Sequence, residues 1–228
     1  MLKKMFLGLM PFIVAAMMIF TLVGCGGNQF VGLWTGVAED TIGSSAPAAV
    51  LFSPADWTIM VPEARMYERG SYTASGNKAI VRYNDTIQSA GETFEATITN
   101  GSLVSTISGL GTVTLTKSNP IIINQNTWID GVIDQNTKMA VYSFNAVKGT
   151  TYYIWTNDGY QGDGNKTLDI IFSVFDSKEY YNTGDDHWNW SFTFEAENNE
   201  QVYILVVPHS SGRQGTFGIA YSTNSTRP

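Results

Sequence analysis

Thr93-Phe94-Glu95-Ala96-Thr97-Ile98-Thr99-Asn100-Gly101-Ser102-Leu103-Val104-Ser105-Thr106-Ile107 decides the fold class. Phe94, Ala96 and Ile98 alternate with Glu95, Thr97 and Thr99, which is the period of a strand with one face buried. Asn100-Gly101 follows at once. These two residue types tolerate the positive φ of a tight type I′ turn, the strongest short signal for a hairpin. The segment 103–107 then pairs back, and in 112–116 Val113 and Leu115 again alternate with threonines.

The same grammar extends toward the N-terminus. Residues 30–37 carry Gly32-Leu33-Trp34-Thr35-Gly36, a first strand with a large aromatic. Residues 46–56 are small and apolar with two prolines, a strand and a turn, and Trp57-Thr58-Ile59-Met60-Val61 is a strand stopped by Pro62. Residues 67–74 and 78–83 flank Ser75-Gly76-Asn77, a second hairpin turn. About eight short strands joined by local turns make an antiparallel meander over 30–117. The opening Gly-x-Trp, the hairpin from Gly70 through Tyr72 to Gly76-Asn77 and the closing Gly111-Thr112-Val113-Thr114-Leu115-Thr116 resemble small lipocalin-like or half-barrel domains of bacterial lipoproteins. That resemblance implies a carrier of apolar ligands. Strands this short favour an interior filled by side chains, with Trp34 as a core plug.

Composition agrees with an all-β chain. Charged residues are only 14%, aromatics reach 13%, and no stretch has helical periodicity. Lys117-Ser118-Asn119-Pro120 breaks the alternation and reads as a linker at 118–120. Beyond it, strands are expected at 128–134, 138–146, 151–157, 168–176, 188–195, 201–208 and 215–222, with longer loops that suit a sandwich. Trp128-Ile129-Asp130-Gly131-Val132-Ile133, Val141-Tyr142-Ser143-Phe144, Gly149-Thr150-Thr151-Tyr152-Tyr153-Ile154, Val202-Tyr203-Ile204-Leu205-Val206 and Gly215-Thr216-Phe217-Gly218-Ile219 follow in an order that resembles the bacterial pre-peptidase C-terminal domain. The resemblance implies a jelly-roll-like β-sandwich over 121–224. It also implies an accessory module, some of whose relatives bind calcium, polysaccharide or collagen. No protease domain precedes it here.

The address lies at the start. Lys3 and Lys4 precede 19 uncharged residues, the layout of an export signal over 1–24. The run is also just long enough to cross a hydrocarbon core of ~30 Å as a helix. It closes on Leu22-Val23-Gly24-Cys25, which resembles the lipobox of bacterial lipoproteins and holds the only cysteine of the chain. The resemblance implies cleavage before Cys25 and acylation of its thiol, so that membrane lipid is the first partner. Residues 25–29 form a lipidated tether of less than about 20 Å, at ~3.4 Å per residue. Gly26, not Asp, follows the cysteine, which by the same resemblance points to the outer membrane of a cell that has one.

Loss of the leader's two lysines takes the formal charge from −7 to −9. An acidic surface argues against nucleic acid and anionic lipid as partners and is compatible with neutral sugars, cations or protein partners. Asn157, Asp158, Asp163, Asn165 and Asp169 place oxygen side chains among three glycines, a pattern that suits calcium. Lacking the twelfth-position Glu of an EF-hand, the same residues equally make an Asx- and Gly-rich surface turn. Tyr160 and Trp188 offer a platform for a sugar ring, or cap the ends of the sandwich. His187 and His209 are the only histidines, and no catalytic motif surrounds them. The expectation is a non-enzymatic, lipid-anchored envelope protein whose sandwich binds glycan, protein or calcium, with an apolar-ligand carrier and a structural spacer as the alternatives.

Overall fold

The computed structural model describes residues 28–40, 42–62, 66–84, 92–108, 110–160, 164–181, 191–210 and 212–228. The leader, the lipobox with Cys25, and the loop with His187 and Trp188 lie outside them.

Eight strands form the first half: β1 Gly32–Glu39, β2 Ser45–Phe52, β3 Asp56–Val61, β4 Met66–Ser75, β5 Lys78–Tyr83, β6 Thr93–Thr99, β7 Ser102–Ile107 and β8 Gly111–Lys117. Each pairs antiparallel with the next, and β1 pairs with β8, so the meander closes into a barrel. Closure leaves no free edge. The hairpin signals hold. Asn100 and Gly101 have φ of 52° and 78°, the pair of positive values a type I′ turn needs. Between β4 and β5, Gly76 has φ 60°. Pro47 falls where β2 has run past the end of its pairing with β3, so its missing N–H breaks no ladder on that side.

Inward residues fill the barrel. Phe30, Trp34, Phe52, Trp57, Tyr72, Tyr83 and Leu115 are all under 9% exposed. Trp34 is thus a core residue, its Nε1 donating to the Phe30 carbonyl at 2.6 Å. An apolar cargo would have to displace this aromatic packing, which counts against the carrier alternative.

The second half holds β9 Ile121–Ile122, β10 Ile129–Ile133, β11 Ala140–Asn145, β12 Thr151–Asn157, β13 Ile170–Phe175, β14 Ser191–Glu195, β15 Gln201–Pro208 and β16 Gly215–Ser222. They form two four-stranded sheets, ordered β10-β16-β12-β14 and β13-β15-β11-β9. Tyr142, Phe144, Ile154, Val174, Ile204, Val206, Phe217 and Ile219 pack between them. All but one of the pairings are antiparallel; β9 runs parallel to β11.

A third apolar cluster joins the halves. Leu33, Ala49, Leu51 and Met60 on the outside of the barrel pack against Val141, Phe175, Tyr203, Leu205 and Val207 on the outer face of one sandwich sheet. Strand β15 is therefore buried on both faces, Val202, Ile204 and Val206 toward one core and Tyr203, Leu205 and Val207 toward the barrel. The connection is tied down at both ends. The Ser118 N–H donates to the Leu33 carbonyl at 2.8 Å, and β9 joins the sandwich sheet two residues after Asn119. Barrel, inner sheet and outer sheet make three layers with two sandwich-side interfaces and one continuous body.

Candidate functional site

The apolar seam has a polar margin, and there the two halves frame a cleft. The barrel side comes from β3, β4 and β5, and the sandwich side from the turn after β13. That turn is shaped by one buried carboxylate. Asp176 is fully buried, and its Oδ1 accepts the N–H groups of Lys178 at 2.7 Å and Glu179 at 2.6 Å. Its Oδ2 accepts the Tyr181 hydroxyl at 2.7 Å. Burial, aided by that hydrogen bond, pushes the Tyr181 hydroxyl well above its ordinary range. The carboxylate's bonds fix the turn, as an Asx-turn does.

The fixed turn is what the barrel grips. Arg69 donates from Nη1 to the Lys178 carbonyl at 2.6 Å and lies 3.6 Å from a Glu179 carboxylate oxygen. Both side chains of this ion pair are substantially exposed, so its worth is small. Tyr67 stacks on Tyr180 with ring centroids 4.7 Å apart. Beside these contacts opens a cleft of about 700 Å³, bordered by Asp56, Arg69, Arg82, Asn84, Lys178 and Glu179. This lies within the ordinary range of ligand sites.

The floor explains a glycine. Trp57, Gly70 and Tyr83 meet beneath the cleft. A Cβ on Gly70 would sit 1.8 Å from the Arg82 carbonyl oxygen and 2.6 Å from Trp57 Nε1. The missing side chain therefore lets the indole lie over β4 and reach the Arg82 carbonyl at 3.2 Å. Tyr83 packs edge-on to Trp57 at 5.2 Å.

Burial pushes the Tyr83 hydroxyl up to about 12, with the charges of Glu68 and Glu92 adding to it. Burial likewise raises Tyr142 to about 12. These phenols stay neutral in the folded chain at a pH where the unfolded chain, titrating near ~10, has lost the proton. Their contribution is thus whole below pH ~10 and is lost as pH rises toward 12. Denaturation midpoints measured from pH 8 to 11.5 are expected to fall above pH ~10, and to fall less steeply in Tyr83→Phe. Parallel curves for the two proteins would contradict this.

The residues singled out from sequence are distributed otherwise. Tyr160 is 59% exposed, and its N–H donates to Asp158 Oδ1 at 2.9 Å. Asp158 is 7% exposed and serves as the acceptor of a local turn. Asp169 sits 3.5 Å from His209 Nδ1, and Asn165 is exposed. Trp188 and Asp163 fall outside the described residues, and with them the Tyr160–Trp188 platform and the full oxygen set. Among the described residues no three His, Cys, Asp or Glu side chains gather as metal ligands would. The loop is held at its neck by Gly159 N–H to the Leu168 carbonyl and by Thr167 and Leu168 N–H to the Thr216 carbonyl.

Sequence reasoning missed the cleft. Its cations come from β4, β5 and the turn after β13, and Arg69 and Lys178 are 109 residues apart. Read along the chain, each is one solvated charge. One signal was available: charge is scarce, with thirteen Lys and Arg in all, two of them in the leader, and three of the rest border this one cleft.

The sequence matches no protein-family model and no curated protein. Among solved structures the fold is similar to the pre-peptidase C-terminal domain of collagenase from Bacillus anthracis, with 20% identity, 46% of this chain and 95% of that domain covered, and a TM-score of 0.37. It is also similar to PliG, a periplasmic inhibitor of g-type lysozyme from Aeromonas hydrophila, with 14% identity, 45% and 94% covered, and a TM-score of 0.35. Each likeness spans less than half of this chain, and at these scores neither bears on what it binds.

Proposed function

We propose that this is a non-catalytic binding protein of the cell envelope, held to a membrane by acylated Cys25, with the barrel–sandwich cleft as its binding site. The observation that carries the reading is the cleft itself, a concavity of about 700 Å³ whose walls are fixed by a buried apolar seam. Rigid walls favour binding because little ordering is left to do when a ligand arrives. Partners expected on this reading are glycan or another envelope protein, with membrane lipid at the anchor and no nucleic acid.

The anchor reading gains an orientation. The fold is pinned from Asn28 onward, where Asn28 Nδ2 donates to the Tyr72 hydroxyl at 2.6 Å and Phe30 N–H donates to Asn28 Oδ1. From Cys25 to Asn28 there are three residue steps, a reach of about 10 Å at ~3.4 Å per residue. The barrel end that carries the β4–β5 and β6–β7 turns would face the lipid. The sandwich and the cleft would stand away from it or along its flank. Among the described residues no helix is long and apolar enough to cross a membrane.

Two measurements test the proposal. Mass spectrometry of the native product should find an N-terminal Cys25 carrying acyl chains, and Cys25→Ala should release the protein from membranes; an intact leader would contradict the anchor. Thermal melting in the presence of glycans, and of calcium against chelator, should show a rise in midpoint with a ligand that binds only the folded chain. Retention of any such rise when the cleft is filled by Ser71→Trp would place binding elsewhere. The loop with Asp158 and Asp169 is the site to examine if calcium alone raises the midpoint.

A further inference from the structure

We propose that the cleft takes an anionic polysaccharide, an inference that rests on reading the cleft as the site of a binding protein. Two cations on opposite walls carry it. Arg82 lies on the outward face of β5, and Lys178 projects from the turn after β13. Among the described residues the Arg82 guanidinium and the Lys178 ammonium have neither an ion-pair nor a hydrogen-bond partner; Arg69 beside them is already committed to the Lys178 carbonyl and Glu179. Two unspent cations thus converge on one concavity, whose lining carries Arg69, Arg82 and Lys178 against Asp56 and Glu179, in a chain of formal charge −7.

The rest of the lining selects the kind of anion. Asp56 and Glu179 are acceptors, and Ser71, Asn84 and Ser177 both donate and accept. A chain of sugars presents many hydroxyls, which use such groups, and widely spaced acid groups, which suit Arg82 and Lys178. An arginine binds a planar carboxylate with two parallel bonds. A peptide strand would need an open sheet edge or apolar pockets. The barrel is closed, the edge strand β13 borders the cleft only through the turn that follows it, and the aromatic side chains of the floor, Trp57 and Tyr83, are 1% and 6% exposed. An acidic peptide is therefore the poorer fit.

The test uses the full-length lipidated protein in neutral detergent, titrated calorimetrically with polygalacturonate, chondroitin sulfate, methyl-esterified polygalacturonate, dextran and polyglutamate. Polygalacturonate and chondroitin sulfate, both of which carry uronate carboxylates along the chain, should bind, and binding should weaken with added salt. Methyl esterification and each of Arg82→Gln and Lys178→Gln should weaken it about tenfold, the loss of one charge-assisted hydrogen bond. Both side chains are exposed, so these variants should melt as the unchanged protein does. The inference is overturned if the esterified polymer or dextran binds as well as the acid, if polyglutamate binds equally, if Arg82→Gln and Lys178→Gln leave affinity untouched, or if no polymer binds. Ser71→Trp separates the two failures. Neutral-polymer binding that Ser71→Trp abolishes keeps the cleft as a binding site and removes only the anion; binding that Ser71→Trp spares, or none at all, removes both.

Discussion

Leu205→Asp is expected to uncouple the barrel from the sandwich while leaving each able to hold its own core. Leu205 is fully buried on the barrel-facing side of β15, among Leu33, Leu51, Met60, Phe175 and Tyr203. The residues of that cluster packed around it are apolar, and an unpaired charge there costs several kcal/mol. The inner face of β15, with Val202, Ile204 and Val206, is left unchanged. Denaturant unfolding followed by tryptophan fluorescence should then split into two transitions, since Trp34 and Trp57 report on the barrel and Trp155 on the sandwich. Leu205→Ala should keep one transition and lose about 3 kcal/mol, the usual cost of a leucine-sized cavity. Val206→Asp is the control on the opposite face. It should unfold the sandwich itself. If Leu205→Asp leaves the midpoint and the single transition intact, the seam is not what joins the halves.

Gly70→Ala is the second large effect, and it works through backbone contact. The added Cβ overlaps the Arg82 carbonyl oxygen, so β4 or β5 must move, and Trp57 with it. A loss of more than about 3 kcal/mol is expected from this overpacking together with the damaged β4–β5 pairing. Trp57 emission should shift to the red as the indole leaves its cover, and the floor of the cleft should change with it. Gly76→Ala, in the turn between the same two strands, supplies the comparison. Its φ of 60° strains an alanine, but nothing lies within 4 Å of the new Cβ, so the cost should stay near ~1 kcal/mol. Equal losses at Gly70 and Gly76 would mean that the close approach over Gly70 is not a constraint.

These two sites also mark what the sequence made readable. Period-two alternation in β5, β6, β7 and β8 gives strand faces directly, because one face of each meets the barrel core and the other meets water. Residues 48–52 and 202–207 do not alternate. Such runs are the mark of strands covered on both faces. The run alone states that a second cover exists and cannot say what supplies it, since Leu51 and Leu205 are brought together only by the three-layer stacking. The two-residue β9 went unseen for a simpler reason. Ile121 and Ile122 are exposed, and two residues carry no period. The cleft was hidden because outward residues of β5 such as Lys78, Ile80 and Arg82 read as an ordinary solvated face until a turn from the other half closes over one end of it. The oxygen-rich loop from Asn157 to Asp169 stood out along the chain, yet its Asp158 and Asp169 are engaged in a local turn and beside His209.

The central claim is that an apolar seam makes one cooperative body from a barrel and a sandwich, and that the cleft exists because of it. Scanning calorimetry of the unmodified protein tests this most directly. One endotherm is predicted, with calorimetric and van't Hoff enthalpies equal, as for a single two-state unit. Two endotherms, or a calorimetric enthalpy near twice the van't Hoff value, would show that the halves melt independently and would contradict the account.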